Sequence, residues 1–264
     1  MPAQRYGAIC PISHACKILE PRWTIHILTE MWAGSTHFNE IRRGVGSISP
    51  GLLSRRLKEL ETLGMIERRE NASTRSVEYY RTSKAIRLEP SLNALGAWAQ
   101  QNIAAEVALS ETDVSALMWK LRRDICTDVF PDRRVIIRFH FSDPGLKRSL
   151  FWLVFYPHGE RDLCVTAPRH DVDLYIETNL ISFGGVLTGR TSLSREMDNG
   201  GLYTSGDAAL SDTMRDWLPF SVYLEVGNIQ QLHEVSSDNT QLSDGQPYSQ
   251  LVSQRRTSNG ASHP

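Results

Sequence analysis

Ser49-Pro50-Gly51-Leu52-Leu53-Ser54-Arg55-Arg56-Leu57-Lys58-Glu59-Leu60-Glu61-Thr62-Leu63-Gly64 is the stretch on which the fold turns. Ser49 can cap free backbone N–H groups, and proline suits the first position of a helix. Gly64 suits the left-handed position just past a helix end. At 100° per residue, Leu53, Leu57 and Leu60 fall within an arc of about 60°, which predicts an inward stripe. Gly51, Ser54, Arg55 and Lys58 share an arc of about 100° on the other side. That outward side is small, polar and basic, with Glu59 and Glu61 only on its flanks. A solvated surface helix can have the same composition, so the neighbouring segments decide its meaning.

Those neighbours form an ordered set. Short helices are predicted over 11–19, 21–32 and 36–43, with Trp23, Ile27, Leu28, Met31, Phe38 and Ile41 at helical spacing. Gly34-Ser35 breaks the second, and residues 44–47 read as a tight turn before Ser49. Two short strands, 65–70 and 76–81, follow the deciding helix, with a polar turn between them. A long helix over 84–106 closes the set. Helix, tight turn, helix, then a two-stranded hairpin is the order of a winged helix-turn-helix. In that order the outward face suits a DNA major groove: Gly51 allows close approach, Ser54 can bond bases or phosphate, and Arg55 can pair bidentately with guanine. Lys58 adds charge, and the helix N-terminus at Ser49 favours phosphate. Thr36 and His37 open the preceding helix, where backbone amides can meet phosphate. Arg75 at the hairpin tip, or Arg68 and Arg69 on its first strand, can reach the backbone or the minor groove.

Further stretches carry a family likeness. Cys10-Pro11-Ile12, Arg22-Trp23-Thr24, Phe38-Asn39-Glu40-Ile41-Arg42-Arg43 and Ile48 to Glu61 resemble the HxlR-type winged-helix regulators. So do Gly64-Met65-Ile66-Glu67-Arg68-Arg69 and Val77-Glu78-Tyr79-Tyr80. The likeness runs over about 8–105 and implies a transcriptional regulator: a homodimer, joined through the first and last helices of the domain, on a roughly palindromic operator in double-stranded DNA. Leu92, Leu95 and Trp98 are the expected seam. Some relatives use a cysteine at the place of Cys10 as a thiol sensor, which the resemblance extends to Cys10 as a redox sensor. Where the family has Leu-Thr and then Gly after the wing, this chain has Arg81-Thr82-Ser83-Lys84-Ala85.

The pattern resets near Ser110-Glu111. A helix over 113–128 precedes predicted strands at 133–141, 149–156, 161–166 and 172–177, then helices at 179–187 and 191–197, an extended 201–205 and a helix over 207–217. This predicts an overall α+β fold: a winged helix-turn-helix at 8–107, then an α+β domain at 113–222 with one mainly antiparallel sheet. Residues 115–220 resemble the sterol carrier protein type 2 domain, whose fold implies an apolar tunnel. The candidate lining is Phe139, Phe141, Trp152, Val154, Tyr175 and Phe183, which makes a small hydrophobic ligand a candidate effector. Residues 226–264 are rich in Ser, Gln, Asn and Gly and are predicted to be a disordered tail.

Charge supports the division. Residues 1–109 hold 14 Lys/Arg against 10 Asp/Glu, and the remainder 15 against 20. Only the front half suits a polyanion. The longest apolar run, 150–156, is far below the ~20 residues of a membrane span, and residues 1–6 lack a secretory signal, so the expected location is the cytoplasm. The four cysteines form no CxxC pair, which argues against zinc or a disulfide framework. There is no HExxH, P-loop, GxGxxG or GxSxG, and His26, His37, His140 and His158 have no evident partner in sequence. No catalytic residue, cofactor or metal ligand is therefore predicted. The competing reading is a lipid- or sterol-binding protein whose winged helix mediates protein contacts.

Overall fold

The computed structural model describes residues 10–71 and 76–232. The front half runs α1 (Pro11–Leu19), α2 (Thr24–Trp32), α3 (Phe38–Val45), α4 (Pro50–Thr62), β1 (Ile66–Asn71), β2 (Ser76–Arg81), α5 (Ser83–Ile86), α6 (Glu89–Asn102) and α7 (Ala105–Leu109). The back half runs α8 (Val114–Asp124), β3 (Val135–Phe141), β4 (Leu150–Phe155), β5 (Arg161–Cys164), β6 (Leu174–Thr178), α9 (Leu180–Thr188), α10 (Leu193–Asp198), β7 (Leu202–Gly206), α11 (Ala208–Asp212) and α12 (Met214–Trp217), then a 3-10 turn at Val222–Glu225.

The front core gathers Ile27, Leu28, Ile41, Leu53, Leu57 and Leu60, so α2, α3 and α4 bury the stripes their spacing predicts. α4 begins as its first residues dictate: the Ser49 hydroxyl accepts from the Leu52 amide at 3.3 Å, with Pro50 in the first turn. It ends before Gly64, whose φ of +65° is the left-handed conformation that glycine adopts without strain. β1 and β2 pair antiparallel, from Ile66 opposite Arg81 to Asn71 opposite Ser76. The entry to α3 joins this hairpin, since the Tyr79 amide donates to the Thr36 carbonyl at 2.8 Å.

The helix expected over 84–106 is broken. α5 stops at Ile86, and α6 restarts with Pro90 in its first turn. Proline has no N–H to give a continuous ladder and fits only where that donor would be unpaired. Of the expected seam residues, Leu92 is buried, whereas Leu95 is 51% and Trp98 54% exposed.

The back half is a five-stranded sheet in the order β5-β4-β3-β6-β7. It is mixed, which corrects the expectation of one mainly antiparallel sheet: at its centre β6 lies parallel to β3, with Leu174 beside Ile137. Alternation of apolar residues reports which face is buried but not the direction of the neighbouring strand. The tunnel expectation is corrected as well. Phe139, Phe141 and Phe183 lie in one core with Phe151, their ring centroids 5.6 to 6.4 Å apart, under helices α8, α9 and α12. Trp152 and Val154 belong to a separate cluster with Ile136, on the opposite face of the sheet. Tyr175 shares that face, its ring 5.0 Å from the Arg138 guanidinium. Residues that alternate along strands cannot line one tunnel, and the six candidates do not converge.

The two halves meet through named contacts. Glu30 of α2 is buried; it accepts from the Ser35 hydroxyl at 2.7 Å and pairs with Arg123 of α8 at 2.7 Å. A Cβ on Gly44 would overlap that carboxylate. Tyr223 donates to Asn93 of α6 at 3.1 Å, and the Gln230 amide donates to the Gln100 carbonyl at 3.1 Å. Leu232 is buried beside Ala105 and Leu109. Residues 226–232 are thus packed, correcting the expected start of the disordered tail. Residues 233–264, the remainder of that tail, lie outside the described residues.

Candidate nucleic-acid interface

α4 carries its basic face outward. Leu53, Leu57 and Leu60 are buried, and Gly51, Ser54, Arg55 and Lys58 are exposed. The Arg55 side chain is 64% exposed and among the described residues pairs only with Glu59, with Nε 3.6 Å from a carboxylate oxygen. An exposed pair of that length is weak, so the guanidinium is available to a new partner. A Cβ built on Gly51 meets nothing within 4 Å. The surface there is open, and the bare backbone permits close approach.

The neighbouring Arg56 differs. It donates from Nε to the Arg22 carbonyl at 3.2 Å and pairs with Glu59, with its side chain largely covered. It ties α4 to the start of α2 instead of facing outward. Ser49 is exposed, and its hydroxyl oxygen serves as the α4 cap.

The α3 entry is already satisfied. A Glu40 oxygen accepts from both the Thr36 and His37 amides, each at 3.2 Å. Burial pushes the Glu40 pKa up, but these two hydrogen bonds and the nearby His37 outweigh it and hold the carboxyl below its ordinary value. In this structure Glu40 takes both donors, so a phosphate at these amides would have to displace it. The Thr36 hydroxyl lies 3.1 Å from His37 Nδ1, and the imidazole sits between Glu40 (3.4 Å) and Glu78 (3.6 Å). His37 thus has two carboxylate neighbours, Glu40 three residues along on α3 and Glu78 supplied across the fold by β2. His140 similarly has Glu177 at 3.9 Å.

On the wing, Arg68 pairs with Glu70 at 2.7 Å and Arg69 with Glu67 at 2.9 Å, and Arg69 also lies over the Tyr80 ring at 4.6 Å. Each hydrogen bond to its glutamate raises that arginine's pKa. Both remain cations, but their charge is locally balanced, whereas Lys58 has no ion pair among the described residues. Arg75 lies outside the described residues. A contact that sequence reasoning missed is Lys84, whose ammonium donates to the Leu63 carbonyl at 2.8 Å and closes the end of α4. Its only sequence signal is a lysine shortly after the wing. Cys10 is half-buried at the N-cap of α1. Among the described residues no group of three or more His, Cys, Asp or Glu could hold a metal ion, and no helix is long and apolar enough to cross a membrane.

Residues 18–107 match the HxlR-like helix-turn-helix family. The chain is 36% identical over 95 residues to the uncharacterized HTH-type transcriptional regulator YvaP of Bacillus subtilis, covering 35% of this chain and 88% of that one. It is 34% identical over 97 residues to the HTH-type transcriptional regulator YodB of the same organism, covering 36% of this chain and 87% of that one. The chain belongs to the HxlR-like helix-turn-helix family. The solved reduced form of YodB superposes on 36% of this chain and 95% of its own, with 32% identity and a TM-score of 0.34. As an HxlR-like protein the chain is a DNA-binding transcriptional regulator. In it, α3 and α4 are the two helices of the helix-turn-helix, and β1 and β2 are the wing. The likeness of the back half to a sterol carrier domain rests on its sequence pattern alone.

Proposed function

We propose that this HxlR-like protein regulates transcription by laying the outward face of α4 into the major groove, as a homodimer on a two-fold operator. The observation that carries the reading is the exposure of Gly51, Ser54, Arg55 and Lys58 on the side of α4 opposite its buried leucines. A single such helix reads few bases, and two set about 34 Å apart read successive major grooves. The surface apolar residues Leu95 and Trp98 on α6, with Ile12 on α1 at 57% exposure, support pairing through these helices, because exposed apolar side chains favour burial against a partner. Control by a hydrophobic ligand in a sheet-side tunnel gains no support from the split positions of its six candidate residues.

Selection of bound duplexes from random DNA, followed by titration of the winner at several salt concentrations, tests this. The expected product is an inverted repeat whose affinity falls steeply with salt, with a log–log slope near −0.9 for each phosphate neutralised. Recovery of random sequences, all bound equally, would remove sequence-specific regulation.

A further inference from the structure

Between the winged helix and the back half lies a half-open cleft of about 450 Å3. Its rim is basic: Arg42 and Arg43 come from the end of α3, and Arg148 from the loop before β4. Its apolar lining is Ile48, Trp119, Phe151, Leu163 and Val165, of which Val165 is exposed, Leu163 half-buried and the other three buried. The side chains of Arg42 and Arg148 make no hydrogen bond or ion pair among the described residues. The Trp119 ring is already covered by two guanidinium groups, Arg43 at 4.7 Å and Arg122 at 4.0 Å. The one carboxylate on the lining, Asp113, already accepts from the Ser115 and Ala116 amides at the start of α8. Three guanidinium groups therefore face one committed carboxylate above a greasy surface.

We infer that this cleft binds a small organic anion with an aryl or aliphatic body, its carboxylate held by Arg42 and Arg148 and its body laid on Leu163 and Val165. The volume lies within the usual range of small-molecule sites, which combine an apolar lining with a few polar groups. The guanidinium fork matches a carboxylate in geometry and charge. A phosphate of the DNA backbone needs the arginines but not the apolar floor, so the combination favours an amphipathic anion over the duplex. The site joins α3, which positions α4, to the back half. An occupant that binds one arrangement of these elements more tightly shifts the protein toward it. That regulatory consequence rests on the regulator reading above; the binding site itself does not.

The test uses the full-length protein without DNA. Calorimetric titration with 1-naphthoate and decanoate is compared with the neutral 1-naphthol and decanol, in wild type, Arg148→Ala and Arg42→Ala. The carboxylates are expected to bind at least tenfold more tightly than the alcohols, and each substitution to remove at least tenfold of that affinity. Arg148 is exposed and has no partner among the described residues, so its variant keeps the fold, which circular dichroism checks. Equal binding of acid and alcohol, or unchanged naphthoate affinity in Arg148→Ala, overturns the site. So does an Arg148→Ala variant that loses operator affinity while binding naphthoate as wild type does, since the arginine would then serve DNA phosphate. If naphthoate binds through the arginines and no operator is found, the site stands and the regulator reading falls. If an operator is bound and naphthoate is not, this inference alone falls.

Discussion

Two adjacent arginines on one helix have different work because a single residue step turns the side chain by about 100°, from open water toward the neighbouring helix. Arg55 faces outward with a loose contact to Glu59, while Arg56 is anchored to the Arg22 carbonyl and to Glu59. Arg56→Ala should lower the melting temperature and leave base preference intact. The buried stem and the lost hydrogen bond to the Arg22 carbonyl account for a loss of about 1–2 kcal/mol, read by thermal unfolding beside operator titrations. Glu40 makes a pH-dependent prediction. Its pKa is held below its ordinary value in the folded chain, so it contributes stability that is present above the ordinary carboxylate value and lost as pH falls through the lowered one. Glu40→Gln keeps an acceptor oxygen but no charge. Its stability should trail wild type by about 1 kcal/mol at pH 7, the usual worth of a capping contact, and converge with it in acid. Denaturant curves taken from pH 7 down to pH 3 would show the convergence; a gap that widened in acid would contradict the assignment.

At the level of elements, α2 and α8 are joined by a buried pair whose two members come from the two halves of the sequence. Glu30 depends on Arg123 and Ser35, and its second carboxylate oxygen has no hydrogen bond among the described residues, with the Lys120 ammonium 3.9 Å away. Removal of Arg123 leaves that charge buried without its closest counterion. Arg123→Ala should therefore cost on the order of 3 kcal/mol, and adding Glu30→Gln should recover part of it. A double variant no more stable than Arg123→Ala alone would show that the pair is not the source. Nothing in the spacing of Glu30 and Arg123 announced this contact, because long-range pairing leaves no local period. The elements themselves were far more legible. Ser49-Pro50 and Gly64 bracket α4 through caps that act within a few residues, and the leucine spacing set its buried side. The break between α5 and α6 was legible in Pro90 as well, yet the run of apolar residues through it read as one helix. The direction of β6 and the division of the six aromatic and apolar candidates between two sheet faces depend on which strands become neighbours, which only the assembled fold decides. The α4 face was legible residue by residue, whereas the capture of the Thr36 and His37 amides by Glu40 depends on side-chain reach and was not.

For the molecule as a whole, the packing of 222–232 along α6 leaves Leu95 and Trp98 on the outside. Leu95→Glu combined with Trp98→Glu should give a monomer in sedimentation equilibrium, with the melting temperature held within a few degrees because both side chains are already exposed. Its affinity for the two-fold operator should drop toward that for a half-site. A double variant that remained dimeric would place the seam elsewhere. The central claim, that α4 reads bases with its exposed basic side, is tested most directly by equilibrium binding of wild type and Arg55→Ala to the selected operator and to every single-base variant of it. The expected result is a loss of about 1–3 kcal/mol on the operator, with discrimination flattened at one base pair in each half-site. An Arg55→Ala protein that bound every duplex with wild-type affinity and preference would contradict the account.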